Sequence, residues 1–208
     1  MTRLDLAGEQ ARAAAEATTT WTDLTDRVTT CRACTELALT RSHVVVGEHR
    51  PGAGLLLVGE APGAAEDASG APFVGRAGQL LDGLLADAGV GREGVSVANV
   101  LKCRPPGNRA PTRLEAARCR GWLDRQVAFT APAVVVTLGG TAAAWAFGRP
   151  VRLVDVRGVA HPLPGHDGRV VVPTYHPSAA LRFGPRGEPR RLLLEDLRYA
   201  AGVAGDQR

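Results

Sequence analysis

Lysine is almost missing from this sequence. Lys102 is the only one, so arginine supplies the rest of the 25 basic side chains. Against 21 acidic residues this leaves a formal charge of +4. That mild excess is compatible with a nucleic-acid partner, and equally with a compositional bias toward Ala, Gly and Arg. No run of about 18 apolar residues occurs, so no membrane-spanning helix is expected. The first residues lack a basic segment followed by an apolar stretch, so a secretory leader is not expected and a cytoplasmic location is the default. Cysteines are few: Cys31, Cys34, Cys103 and Cys119. Without export, disulfides are not expected from them. Internal repeats, charge blocks and a long heptad pattern are also missing, and a monomer is expected.

What is present is enough for a core. Apolar residues make up 45% of 208 positions, which suits one domain and excludes a disordered chain. Residues 1–20 are rich in Ala and Thr and are expected to form a flexible or marginally helical arm, with one domain over 21–208. A short helix from Trp21 leads into Cys31. Beyond it, short apolar runs alternate with helical patterns. Strands are expected at Gly54–Val58, Val95–Val100, Ala133–Leu138 and Val170–Thr174. Helices are expected at Ala77–Ala88, from Thr112 to about Phe129, at Thr141–Phe147 and at Leu192–Ala201. Thr112 and Glu115 have the spacing of a capping box. This alternation predicts an α/β fold: a three-layer domain with a central four-stranded parallel sheet flanked by helices. Such sheets bind ligands beyond the carboxyl ends of their strands. Glu60, Asn99, Gly139 and His176 all fall at that edge.

Cys31 and Cys34 form a CxxC pair, and Cys103 and Cys119 form a second, wider pair. Four thiolates suit tetrahedral zinc or a [4Fe–4S] cluster, and spacing does not choose between them. A centre there would fasten the N-terminal segment to the Arg-rich loop 102–109.

Three further stretches carry a resemblance. Gly59-Glu-Ala-Pro-Gly63 with Glu66-Asp67 and Pro72-Phe-Val-Gly75, then Asn99 to Arg109, then Thr174-Tyr-His-Pro-Ser178, together with the cysteine spacing, resemble the family 4 uracil-DNA glycosylases over about residues 28–200. The resemblance implies a monofunctional enzyme that flips uracil out of DNA and hydrolyses its N-glycosidic bond. It implies a structural [4Fe–4S] cluster on the four cysteines. It also implies a uracil pocket of Glu60, Ala61, Gly63, Phe73, Asn99 and His176, with Glu60 and His176 catalytic. The chemistry agrees. One Asn amide pairs with O4 and N3–H of uracil and mismatches cytosine. A His donor aimed at O2 stabilises charge developing on the departing base. Phe73 either stacks on the base or packs in the core; its Gly- and Pro-rich loop favours the crevice. Glu60 either handles the attacking water, stabilises the sugar cation or orients its loop. Arg104, Arg109, Ser178, Leu181 and Arg182 are candidate DNA contacts, with Leu181 either a wedge or a core residue.

Two departures stand out. Gly63 takes the place of the bulky aromatic that family 1 uses against thymine. The stretch 99–112 contains no His and no inserted basic loop, so turnover is expected rather than a covalent protein–DNA adduct. The competing readings are a non-catalytic, metal-stabilised binder of uracil or damaged DNA, and a nucleotide hydrolase using Gly139-Gly140-Thr141 as a phosphate loop.

Overall fold

The computed structural model describes residues 5–206. Four parallel strands form the centre: β1 (Leu55–Gly59), β2 (Val95–Asn99), β3 (Val134–Leu138) and β5 (Val170–Thr174). Their side chains alternate between two cores, as the two-residue period of a strand requires. Leu55, Leu57, Val95, Val97, Val134 and Val136 face one side, where α5 (Arg76–Asp87) and α10 (Glu188–Asp206) cover them with Leu81, Leu84, Leu193 and Leu197. Leu56, Val58, Ala98 and Val135 face the other, under Leu123 and Val127 of α6 (Arg113–Thr130) and Ala142 and Trp145 of α7 (Gly140–Phe147). Apolar burial on both faces explains why the strands read as unbroken hydrophobic runs.

The sheet has five strands, not four. Its order is β2-β1-β3-β5-β4, and β4 (His161–Pro162) pairs antiparallel with β5 at the edge. Two residues with one half-exposed and one exposed side chain carry no apolar period, so nothing in the sequence marks this strand. The chain runs from β1 to β2 on one side, then returns to place β3 on the other side of β1. That reversal opens the crevice of a doubly wound sheet at the carboxyl ends of its strands.

Of the two forms expected for the N-terminal segment, the described residues take the helical one. Leu6–Glu16 form α1, capped by Asp5, whose side chain accepts the Gly8 N–H at 3.0 Å. Ala15 of α1 packs with Leu24 and Val28 of α2 (Trp21–Thr29) against Trp122 of α6. The small alanines permit this close seat: Gly121 of α6 lies against Arg12 and Ala15. The first four residues of the expected arm lie outside the described residues. α3 (Thr35–Thr40), α4 (Ala64–Ser69), α8 (Leu153–Val156) and α9 (Pro177–Phe183) complete the fold. The capping box of α6 forms: Thr112 Oγ1 accepts from Glu115 N at 3.2 Å, and Thr112 N donates to Glu115 Oε2 at 2.7 Å.

Candidate active site and cysteine centre

β1 and β2 end side by side. Val100 N donates to Gly59 O at 2.9 Å and Leu101 N to Glu60 O at 3.0 Å, so the pairing continues just past the strands. Asn99 is the last residue of β2 and lies beside Gly59 in register. A Cβ on Gly59 would collide with Asn99 Oδ1 and stand 2.6 Å from Phe73 Cζ. The carboxamide and the aromatic ring therefore meet over a bare Cα, which only glycine leaves open. Asn99 is 4% exposed, yet no hydrogen bond to a described residue engages its carboxamide. A buried amide left open in this way is ready to pair with a ligand.

Phe73 packs with the core on one face of the sheet, 8% exposed, with its ring tip beside Asn99 at the strand end. Its loop is folded inward by Glu66, whose carboxylate accepts Gly75 N at 2.8 Å and Gly63 N at 3.1 Å. Phe73 takes a left-handed φ of 54°, a strained conformation for an aromatic residue. Gly78 of α5 accommodates it, since any Cβ there would clash with the Phe73 carbonyl. Ala61 sits half-buried on the same turn. Gly63 donates its N–H to Glu66, so that amide is engaged within the loop and not free for a base.

His176 caps α9 directly after β5. Its Nδ1 accepts the Ser178 N–H at 3.1 Å and lies 2.8 Å from Ser178 Oγ. An acceptor at Nδ1 assigns the ring proton to Nε2. Burial pushes the His176 pKa below its ordinary value, against the opposing pull of Glu60 and Glu66. The ring is thus a neutral donor. Ser178, a candidate DNA contact by position, is exposed and holds this ring. Glu60 follows β1, and its Oε2 accepts the hydroxyl of Thr141 in the first turn of α7. Thr141 was readable only as a faint phosphate-loop residue; here it fixes the carboxylate.

The remaining candidates separate clearly. Leu181 is 38% exposed on α9, which removes the core alternative for its side chain, and Arg182 beside it is exposed. Phe183, 65% exposed, extends this ridge and was not singled out by any motif. Arg104 Nε donates to Asn108 Oδ1 at 2.7 Å. Arg109 is engaged elsewhere: it donates to both oxygens of Glu115, at 2.9 and 2.7 Å, and to Glu36 at 2.6 Å. It clamps α3 to the start of α6, which commits most of its guanidinium N–H groups within the protein. The reason is long-range pairing, which spacing along the chain does not report.

The four cysteines line one pocket together with Arg41, Lys102, Arg118 and Trp122. Cys31 follows α2, Cys34 caps α3, Cys103 follows β2 and Cys119 lies within α6. Among the described residues, no three His, Cys, Asp or Glu side chains are grouped as ligands of one metal ion. Burial pushes the Cys119 thiol up to about 12 and Cys34 up to about 11, and raises Cys103. Cations offset that cost. Arg41 Nη1 donates to Cys103 Sγ at 2.9 Å, Arg118 hydrogen-bonds Cys34, and the Lys102 ammonium faces Cys103 and Cys119. The indole N–H of Trp122 is buried with no partner among the described residues. Thiols ringed by three cations and an orphaned donor fit an anionic, sulfur-ligated centre.

A parallel sheet whose strand ends gather an open amide, an aromatic ring, a neutral His donor and a fixed carboxylate defines a base-recognising α/β domain. Residues 46–198 match the uracil DNA glycosylase superfamily. The chain is 46% identical over 178 residues to a type-4 uracil-DNA glycosylase of Thermotoga maritima, covering 85% of this chain and 91% of that protein. A type-4 uracil-DNA glycosylase of Sulfurisphaera tokodaii is 38% identical over 185 residues, 86% of this chain and 82% of its own. One of Archaeoglobus fulgidus is 40% identical over 164 residues, 76% of this chain and 82% of its own. The chain belongs to the type-4 uracil-DNA glycosylase family.

Proposed function

We propose that the protein is a monofunctional uracil-DNA glycosylase. It takes uracil out of DNA, breaks the bond between N1 and C1′, and leaves an abasic site. The observation that carries this reading is the open carboxamide of Asn99, held beside Phe73 over Gly59. Its oxygen accepts from N3–H of uracil and its NH2 donates to O4. Cytosine presents the reverse pattern and is refused. Phe73 packs the base against this edge. As the C1′–N1 bond breaks, its electron pair moves onto the base, and Nε2–H of His176 hydrogen-bonds O2 where that charge collects. Glu60, turned by Thr141, faces the sugar side, where it stabilises the cationic sugar and guides water onto C1′. The water's second proton leaves to solvent.

Cys31, Cys34, Cys103 and Cys119 would hold a [4Fe–4S] cluster. When bound, it supplies a cross-link between the N-terminal helices and the loop after β2. Four cysteines in one pocket, ringed by Arg41, Lys102 and Arg118, support a centre of anionic, sulfur-ligated character. Leu181 and Arg182 on α9 offer an apolar wedge and a phosphate contact beside His176. Lys102 is 1% exposed and turned toward the cysteines, so it brings no amine to the sugar and no strand cleavage follows. The absence of a His in the stretch 99–112 favours turnover over a covalent adduct.

The test is uracil release from labelled oligonucleotides carrying U, T or C, followed by alkali. Cleavage confined to U is expected. Equal binding to uracil DNA with no release would replace this reading by a binding module.

A further inference from the structure

The two sites meet at one side chain. Lys102 Nζ donates to the main-chain carbonyl of Asn99 at 2.5 Å, and the same ammonium faces Cys103 and Cys119. Lys102 is among the largest fully buried side chains of the protein. An ammonium is rarely buried unless paired, and here the cysteine sulfurs and one carbonyl provide the pairing. That carbonyl belongs to the residue whose side chain reads the base. The Asn99 amide direction follows from its backbone, which sits at the last rung of β2 just before the chain turns into the cysteine loop. The following N–H groups, Val100 and Leu101, are held by Gly59 and Glu60. Lys102 fixes the remaining free group of the Asn99 peptide.

The geometry points to Lys102 as a positioning residue for base recognition: it ties the Asn99 backbone to the cysteine centre, so that the centre's integrity sets how accurately the pocket reads uracil. The inference rests on the pocket reading given above. It assigns the single lysine a role other than DNA contact or imine chemistry. A small displacement at Asn99 has a large consequence, because misplacing a recognition group by about 1 Å can cost about a hundredfold in rate.

The experiment compares wild type with Lys102→Met and Lys102→Arg, as isolated and with the visible absorption of the bound centre recorded. Each is bound to abasic DNA and to DNA carrying uracil or cytosine on a non-cleavable 2′-fluoro sugar, and single-turnover release is measured on ordinary uracil DNA. Lys102→Met should bind abasic DNA as wild type does. It should lose between about tenfold and about a hundredfold in uracil rate and in the uracil-over-cytosine binding preference. Lys102→Arg, which can still donate, should recover part of both. A Met variant with wild-type rate and preference overturns the proposal. So does a variant in which abasic binding, uracil preference and visible absorption all fall together, since that is the mark of a purely structural role. Should Lys102→Met fail to fold, the Arg variant decides alone: its longer, planar head must shift the uracil preference while leaving abasic binding intact, and an unchanged preference overturns the proposal. Wild type that released no uracil would count against the glycosylase reading. The binding preference on non-cleavable DNA would still decide the role of Lys102.

Discussion

The strand-end crevice and the cysteine pocket lie on either side of the loop after β2, and they are built on opposite plans. The crevice gathers its groups from the ends of β1, β2 and β5, where the backbone is fixed by the sheet and the side chains are left open. The Asn99 carboxamide is buried without a described partner, and His176 keeps Nε2 free because Ser178 occupies Nδ1. The cysteine pocket gathers its groups from helix ends and a loop, and nearly every polar group there is engaged. Arg41, Arg118 and Lys102 each touch a sulfur or its field, and Arg118 also pairs with Asp5. Openness marks the site that receives a substrate; saturation marks the site that holds the frame.

If that contrast is right, losing a crevice group should destroy rate and spare the fold. His176→Ala carries the largest expected effect. It removes the donor to O2 and should lower single-turnover uracil release by about a hundredfold to a thousandfold, the range seen when one such donor is lost. Binding to abasic DNA and the melting temperature should stay close to wild type. A matching fall in abasic binding would show that His176 holds DNA and not the developing charge.

Gly59→Ala asks whether openness depends on one missing methyl group. The added Cβ collides with Asn99 Oδ1 and meets Phe73 Cζ at 2.6 Å, so both must move. The expected loss is about tenfold to a hundredfold in rate, with weakened rejection of cytosine. Retained rate and selectivity would separate Gly59 from the pocket.

These two positions also show how far the sequence was legible. Strand ends announce themselves, because four runs of Val, Leu and Ala buried on both faces stop abruptly at Gly59, Asn99, Leu138 and Thr174. Glu60, Asn99 and His176 could therefore be placed on one edge from pattern alone. What pattern does not carry is pairing between distant side chains. The engagement of Arg109 by Glu36 and Glu115, the hold of Thr141 on Glu60 and the reach of Lys102 to Asn99 each depend on tertiary approach. β4 escaped because two residues have no period, and α1 because alanines that pack against Gly121 look, in sequence, like a weak helix with nothing to bury.

A smaller effect concerns pH. Burial lowers the His176 pKa from its ordinary value, which favours the neutral ring with its proton on Nε2 at neutral pH. Uracil release should therefore hold its plateau as pH falls through 6.5 and decline only further into acid. A rate that rose on acidification through 6.5 would mean that the imidazolium is the working form.

The smallest effect belongs to the cysteine side, and it tests saturation directly. Arg109 holds the Glu115 carboxyl down to about 2 from its ordinary value. Glu115 is buried, whereas Arg109 keeps about a third of its side chain in solvent, at 34%. Solvent screening limits such a pair, so Arg109→Ala should cost about 1 kcal/mol or less. The sign follows from linkage. The folded state keeps Glu115 ionised where the unfolded state protonates it, so the contribution is complete above the usual carboxylate range and disappears as pH falls from 4.5 toward about 2. Wild type and Arg109→Ala should differ in denaturant midpoint at pH 7 and converge below pH 4 as Glu115 takes up its proton. The variant should keep wild-type affinity for uracil DNA and the same salt dependence, because the guanidinium already donates to Glu115, Glu36 and the Ala110 carbonyl. A loss of about one unit in the salt slope would instead place Arg109 on a phosphate. It would also make the cysteine side an open surface like the crevice, and the contrast between the two regions would fail there.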